Sequence, residues 1–160
     1  MKKMKGFTLV ELLIVVVIIG VLVTVALPKY KVALEKGRAT EGVANAHAVS
    51  EAVNAYYIQN YNSYGTTAQL CTYALGNADC TEGSRGNANI TNNKFFTYPD
   101  ISLSNNGVAT VTVSRRLTGT KRYTVTITNQ DGVITNVTCT GYQPYCNILG
   151  LTGPGTTGSI

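Results

Sequence analysis

An apolar run over residues 12–27, entered through Gly6-Phe7-Thr8-Leu9-Val10-Glu11 and closed by Pro28, constrains this chain more than any other feature in it. Between Phe7 and Leu27 only Thr8, Glu11, Gly20 and Thr24 interrupt the apolar residues. That length reaches the roughly 20 residues a helix needs to cross about 30 Å of hydrocarbon, so the segment can span a bilayer. Lys2, Lys3 and Lys5 precede it. A basic flank of this kind stays in the cytoplasm, which puts everything after Leu27 on the outer side. Glu11 is the exception to explain, because a carboxylate near the middle of such a helix costs roughly 2.5–3.5 kcal/mol and calls for a partner. Thr8 and Glu11 also have the Ser/Thr-x-x-Glu spacing of a capping box, a local role that can coexist with another. The rival reading is a secretory signal peptide cut near Thr24-Val25-Ala26. Its apolar core would carry the Glu11 charge with nothing to offset it, which disfavours it.

The stretch Gly6-Phe7-Thr8-Leu9-Val10-Glu11-Leu12 resembles the processing site of type IV prepilins of the short-leader class and their pseudopilin relatives. In that family a short basic leader ends in Gly and is cut off. The new N-terminal Phe is N-methylated, and a Glu lies four residues further on. Gly6, Phe7 and Glu11 match position by position, and Pro28 and Tyr30 stand where many such pilins carry a helix-bending proline and a nearby tyrosine. At the level of motifs the resemblance covers residues 1–30. It implies cleavage between Gly6 and Phe7, methylation of Phe7, and an assembly role for Glu11 and Pro28. The implied partners are a prepilin peptidase and methyltransferase, the pilus assembly machinery, the inner membrane and further copies of the chain. The implied fate is a bacterial inner-membrane pool, N-terminus in, that polymerises into an extracellular helical filament.

Composition bounds the remainder. With 160 residues and one membrane-length segment, the rest can bury one modest core and no second one. The formal charge of +5 overstates attraction to anions, because three of the thirteen basic residues lie ahead of Gly6. Without them ten basic side chains face eight acidic ones. Cys71, Cys80, Cys139 and Cys146 all fall on the outer side, where disulfides persist. Four cysteines allow three pairings, and the sequence does not choose among them. We expect Cys71 with Cys80 and Cys139 with Cys146, each closing a short loop worth roughly 2.5 kcal/mol on the chain-entropy account. Since pilins typically staple their C-terminal region, the resemblance implies that Cys139 and Cys146 bound that region here. A zinc site is disfavoured by both spacings and by compartment.

After Pro28, Val43, Ala46, Val49, Val53 and Tyr56 or Tyr57 recur at three- and four-residue steps, the signature of an amphipathic helix. One helix over residues 7–60 would be roughly 80 Å long. Pro28 should bend it, and Gly37 and Gly42 should loosen it. Residues 61–107, rich in Asn, Gly, Thr and Ser, read as a long irregular connection pinned by the first cysteine pair. Residues 108–113 and 123–128 alternate strictly, and residues 133–139 form a looser third strand. Asp131-Gly132 is a strong hairpin signal, and residues 117–120 hold a Gly for the other turn. The expected fold is therefore α+β, a long N-terminal helix whose second half covers a small antiparallel sheet. Its parts are a leader (1–6), a membrane and filament-core helix (7–27) and the amphipathic half (28–60). The connection (61–107) and the sheet with its disulfide-bounded C-terminal region (108–160) complete the chain.

Nothing in the sequence points to catalysis. His47, the sole histidine, sits mid-helix without a triad partner. Neither phosphate loop nor metal cluster is evident, and no cofactor is expected. The sequons at Asn89 and Asn136 carry little weight in a bacterial chain. Arg115, Arg116, Lys121 and Arg122 flank the turn at residues 117–120 and could crowd four cations into a patch for DNA, against the plainer reading of a solvated turn. The expected function is that of a structural filament subunit serving adhesion, motility or DNA uptake. The alternatives are a secretion or DNA-uptake pseudopilin and a membrane-anchored binding module that never polymerises. Secretion pseudopilins usually hold calcium with carboxylates in their C-terminal loops. Here the last acidic side chain is Asp131, which favours a disulfide-stapled pilin.

Overall fold

The computed structural model describes residues 6–76, 80, 95–97, 99–104, 106–116 and 122–151. The three leader lysines, the turn at residues 117–120, Lys121 and the sequon at Asn89 lie outside the described residues. The chain divides into two units, Met1–Glu35 and Lys36–Ile160.

The described part of the first unit is almost entirely helical. Helix α1 (Leu9–Gln59) begins here and runs unbroken through Pro28. Its apolar window has a mean hydropathy of 3.1 and buries none of its residues within the chain. From Phe7 to Leu27 the large apolar side chains are 43–79% exposed. A helix that is apolar all round belongs in a membrane or inside a larger assembly.

In the second unit, Ala39, Val43, Ala46, Val49, Ser50 and Val53 line the buried face of α1. The spacing is that of one helical stripe, and it divides between two neighbouring clusters. Ala39, Val43 and Ala46 pack with Phe96, Val113, Tyr123, Val125 and Ile127. Val49 and Val53 pack with Tyr64, Leu70, Ile101, Ala109 and Val111. Gly42 is read above as a loosening residue, but it is a packing residue. A Cβ there would come within 2.6 Å of the Phe96 ring, so its missing side chain lets the sheet side approach the helix.

The sheet is a four-stranded antiparallel meander in the order β1 (Asp100–Leu103), β2 (Val108–Ser114), β3 (Tyr123–Gln130), β4 (Val133–Gly141). Alternation sets its faces. On β2 and β3 every second residue is buried and the others are half-buried or exposed. A register shift between Thr128 and Asn129 breaks the β3–β4 ladder. The hairpin turns at Asp131 (φ 54°) and Gly132 (φ 76°), two left-handed residues in succession, as a two-residue turn matching strand twist requires. Asn129 faces inward among apolar residues, and its amide nitrogen donates to Ser50 Oγ (3.2 Å) and to the Ala109 carbonyl (3.4 Å). This polar bridge ties α1 to the sheet.

The described residues between 61 and 107 include regular elements that their composition does not suggest. Helix α2 (Thr67–Leu75) starts on a complete capping box between Thr66 and Gln69 and ends on Gly76 at φ 77°. Both signals stand in the sequence, but the helix has only nine residues and is too short for periodicity to reveal. Its buried Leu70, Cys71, Ala74 and Leu75 face the core. Strand β1 has four residues and pairs Ile101 with Val111. A further short helix, α3 (Gln143–Ile148), follows β4 with a proline in its first turn.

Candidate functional site

The N-terminal site is built by one local network. Thr8 N–H and Thr8 Oγ1–H both donate to Glu11 Oε2, at 2.9 and 2.8 Å, and Glu11 N–H donates back to Thr8 Oγ1 at 3.3 Å. This is a reciprocal capping box, which satisfies donors that a helix start otherwise leaves unpaired. The geometry places one Glu11 oxygen against Thr8 and sets the carboxylate four residues after Phe7, whose ring is 77% exposed. A Cβ added at Gly6 would meet nothing within 4 Å among the described residues, and Gly6 and Phe7 are both exposed. Pro28 lies inside α1, within the same unit.

The cysteines pair as Cys71–Cys80 and Cys139–Cys146, with Cα separations of 5.3 and 5.5 Å. Cys71, Cys139 and Cys146 are fully buried. The first bridge holds α2, and the second holds α3 to β4.

Of the proposed cations, Arg115 is turned into the core rather than onto a surface patch. Arg115 continues the inward parity of Ala109, Val111 and Val113 and is 2% exposed. Its Nη1 donates to the Phe95 carbonyl at 2.7 Å, and its guanidinium lies 5.2 Å from the Phe95 ring centre. Arg38 lies over the same ring at 4.5 Å. Arg116 Nε donates to the Phe96 carbonyl at 2.7 Å. Arg115 is thus a core residue that fastens the Phe95-Phe96 segment to β2. Arg122 is exposed, and Lys121 lies outside the described residues. The signal was the strand's own alternation carried one step beyond Ser114.

A tyrosine cluster that the sequence reading did not single out closes the end of the second unit. The Tyr57 and Tyr64 rings lie 4.5 Å apart. Tyr57 OH donates to Asp131 Oδ1 at 3.4 Å, and Gly132 N–H donates to Tyr64 OH at 3.0 Å. Desolvation, helped by the Asp131 charge, raises the Tyr57 phenol above its ordinary value. Burial likewise raises Tyr64, against a lowering by the Gly132 N–H.

Comparison with known proteins adds to this geometry. A family model described as the prokaryotic N-terminal methylation motif matches residues 1–27. The type IV major fimbrial protein FimA of Dichelobacter nodosus is 40% identical over 91 residues, which span 57% of this chain and 55% of that protein. A fimbrial protein of Pseudomonas aeruginosa is 31% identical over 129 residues, 74% of this chain and 84% of that one. The prepilin peptidase-dependent protein D of Escherichia coli is 29% identical over 153 residues, 92% and 86% of the two chains. No solved structure matches the chain significantly. The methylation motif spans Gly6, Phe7 and Glu11 together with the exposed apolar part of α1, and the fimbrial relative is matched over most of its length. The chain therefore belongs to the type IV pilin family.

Proposed function

We propose that the chain is the precursor of a structural filament subunit, cut between Gly6 and Phe7 and N-methylated on Phe7. The observation that carries this reading is an apolar helix with 0% of its window buried, whose first turns lie inside the matched methylation motif. Such a surface needs lipid before assembly and other copies after it. In the filament, Glu11 meets the Phe7 ammonium of an adjacent copy. That pairing compensates two charges that are costly alone in an apolar core and sets the register between copies. Before assembly the subunit waits in the inner membrane with its N-terminus in the cytoplasm, because the leader lysines hold that side. A peptidase and methyltransferase and an assembly machinery complete the partners.

The role is structural and requires no catalysis by the subunit. Phosphate binding at the β2–β3 connection is not part of the proposal, since Arg115 is committed to the core. A calcium-stapled pseudopilin is the weaker reading, because no carboxylate side chain follows Asp131.

The test is the N-terminal mass of the subunit in material sheared from cells. The expected species starts at N-methylated Phe7, and Gly6→Val leaves full-length precursor in the membrane and no filaments. Normal filaments from Gly6→Val would overturn the reading.

A further inference from the structure

The second unit carries an apolar knob at one end of its stretch of α1 and a cleft at the other. Where α1 stops, Tyr61 (φ 54°) and Asn62 (φ 60°) stand in succession in the left-handed region, which is uncommon for residues other than glycine. Asn62 N–H donates to the Tyr57 carbonyl at 3.0 Å and Asn60 Nδ2 donates to the Ser63 carbonyl at 3.3 Å, so the reversal is held by its own bonds. It leaves the Tyr61 side chain 97% exposed, with Ile58 and Val133 as further exposed apolar residues at the same end. A Cβ at Gly132 would lie 3.6 Å from Ile58 Cγ1, which sets the β3–β4 turn and its exposed Asp131 beside that side chain. Single exposed apolar residues are ordinary, but a group of them with a tyrosine at its tip has the make-up of an interface anchor.

At the other end, Lys36, Thr40 and Val43 of α1 and Ile148 and Leu149 at the close of α3 line a cleft of about 130 Å³. An apolar cavity of about 150 Å³ takes up one benzene ring, so this cleft has the size of one aromatic side chain. Its walls are aliphatic, and Thr40 Oγ1 spends its proton on the Lys36 carbonyl at 2.9 Å. Lys36 is the one charged residue in the lining. An ammonium at the rim attracts the face of an entering ring and is opposite in sign to Asp131 at the knob.

Knob and cleft are also in line. Ile58 stands 22 residues after Lys36, about six turns of helix, so the two project from the same side of α1, about 33 Å apart along its axis. Both places border β4: Val133 opens that strand, and α3 packs on β3 and β4. A second copy displaced along the α1 axis therefore presents its cleft to the knob of the first.

We infer that the Tyr61 ring of one copy inserts into the Lys36–Leu149 cleft of the next, joining the second units of successive copies head to tail. Knob and cleft are different surfaces, so the contact does not close on itself and repeats without limit, as a filament requires. It rests on the filament reading above and extends that reading from the apolar helix to the second unit.

Azidophenylalanine, a photoreactive residue close to tyrosine in size, is placed at Tyr61 of the full chain, and sheared filaments are irradiated and mapped by mass spectrometry. Adducts are expected on residues 36–43 or 148–149 of a neighbouring copy. Thr40→Trp, which fills the cleft from an exposed wall position, should abolish those adducts. Tyr61→Ala should lower the ratio of filament to membrane-pool subunit about tenfold, the loss of one interface anchor, while Tyr61→Phe keeps it. Adducts elsewhere on the neighbour, adducts only to a different protein, adducts that persist in Thr40→Trp, or a parent-level ratio in Tyr61→Ala would each overturn the contact. Photo-adducts between the apolar helices of those same filaments tell the two failures apart: if they form, the filament reading stands and the head-to-tail contact alone falls, and if filaments are never made, both fall.

Discussion

The two units of this chain use the same helix in opposite ways. In the first, the large apolar side chains from Phe7 to Leu27 are 43–79% exposed. In the second, Ala39, Val43, Ala46, Val49 and Val53 are at most 7% exposed. Both stretches are helical, so the difference is one of partners. The second half finds its partner in the same chain, a sheet whose inner face is apolar by alternation. The first half finds none among the described residues, and lipid or other copies can cover its hydrophobic surface. The lesson is that an N-terminal segment can be fully specified in sequence and still be incomplete as a fold until it assembles.

The largest expected effect falls on the first unit and leaves the second untouched. Glu11→Ala should still insert in the membrane, because a costly charge is gone. It should lose filaments, since the Phe7 ammonium then enters an apolar core unpaired at about 3–5 kcal/mol per subunit. Glu11→Gln separates charge from hydrogen bonding. The ratio of filament to membrane-pool subunit reads both, and the denaturation midpoint of the second unit should not move.

Next in size is a contrast between the halves. Ile127→Ala opens a cavity in the buried core and should destabilise the second unit by about 2–5 kcal/mol, whereas Ile18→Ala should leave that unit's thermal midpoint unchanged. Equal losses from both would break the comparison. Smaller again is the Cys139–Cys146 bridge, whose replacement by serines should cost about 2.5 kcal/mol, read by denaturant titration of the second unit.

Gly42→Ala sets two effects against each other. Helix propensity favours alanine by about 1 kcal/mol, but crowding the Phe96 ring costs about 1–3 kcal/mol. A net loss is expected, while Gly37→Ala, with open space at its Cβ, should stabilise.

The smallest effect is a pH dependence. The Tyr57 and Tyr64 phenols are raised in the folded state by desolvation, so the unfolded chain loses those protons first. Their contribution is complete below the ordinary phenol value of about 10 and fades as pH rises through the folded value. Tyr57→Phe with Tyr64→Phe should flatten the alkaline limb of the stability curve.

How much of this could be read from sequence follows from the length of each signal. The apolar segment, the stripe from Val43 to Val53, the alternating strands and the Asp131-Gly132 turn all repeat or obey strict turn chemistry, and the structure holds each of them. Helix α2 and strand β1 escaped because nine and four residues are too few for a period to show, although the Thr66 to Gln69 spacing and Gly76 marked the ends of α2. Arg115 escaped because a charged side chain reads as surface, whereas strand parity carries it inward. Gly42 escaped because only the fold brings Phe96 beside it. The tyrosine cluster joins residues far apart in sequence and had no local signature.

The claim that the first unit is completed by other copies is tested most directly by a photo-crosslinking residue placed at Ile18 in subunits recovered from sheared filaments. The account predicts adducts between subunits, attached within residues 7–27 of the neighbour. Adducts confined to the second unit of the same chain, or none at all in intact filaments, would contradict it.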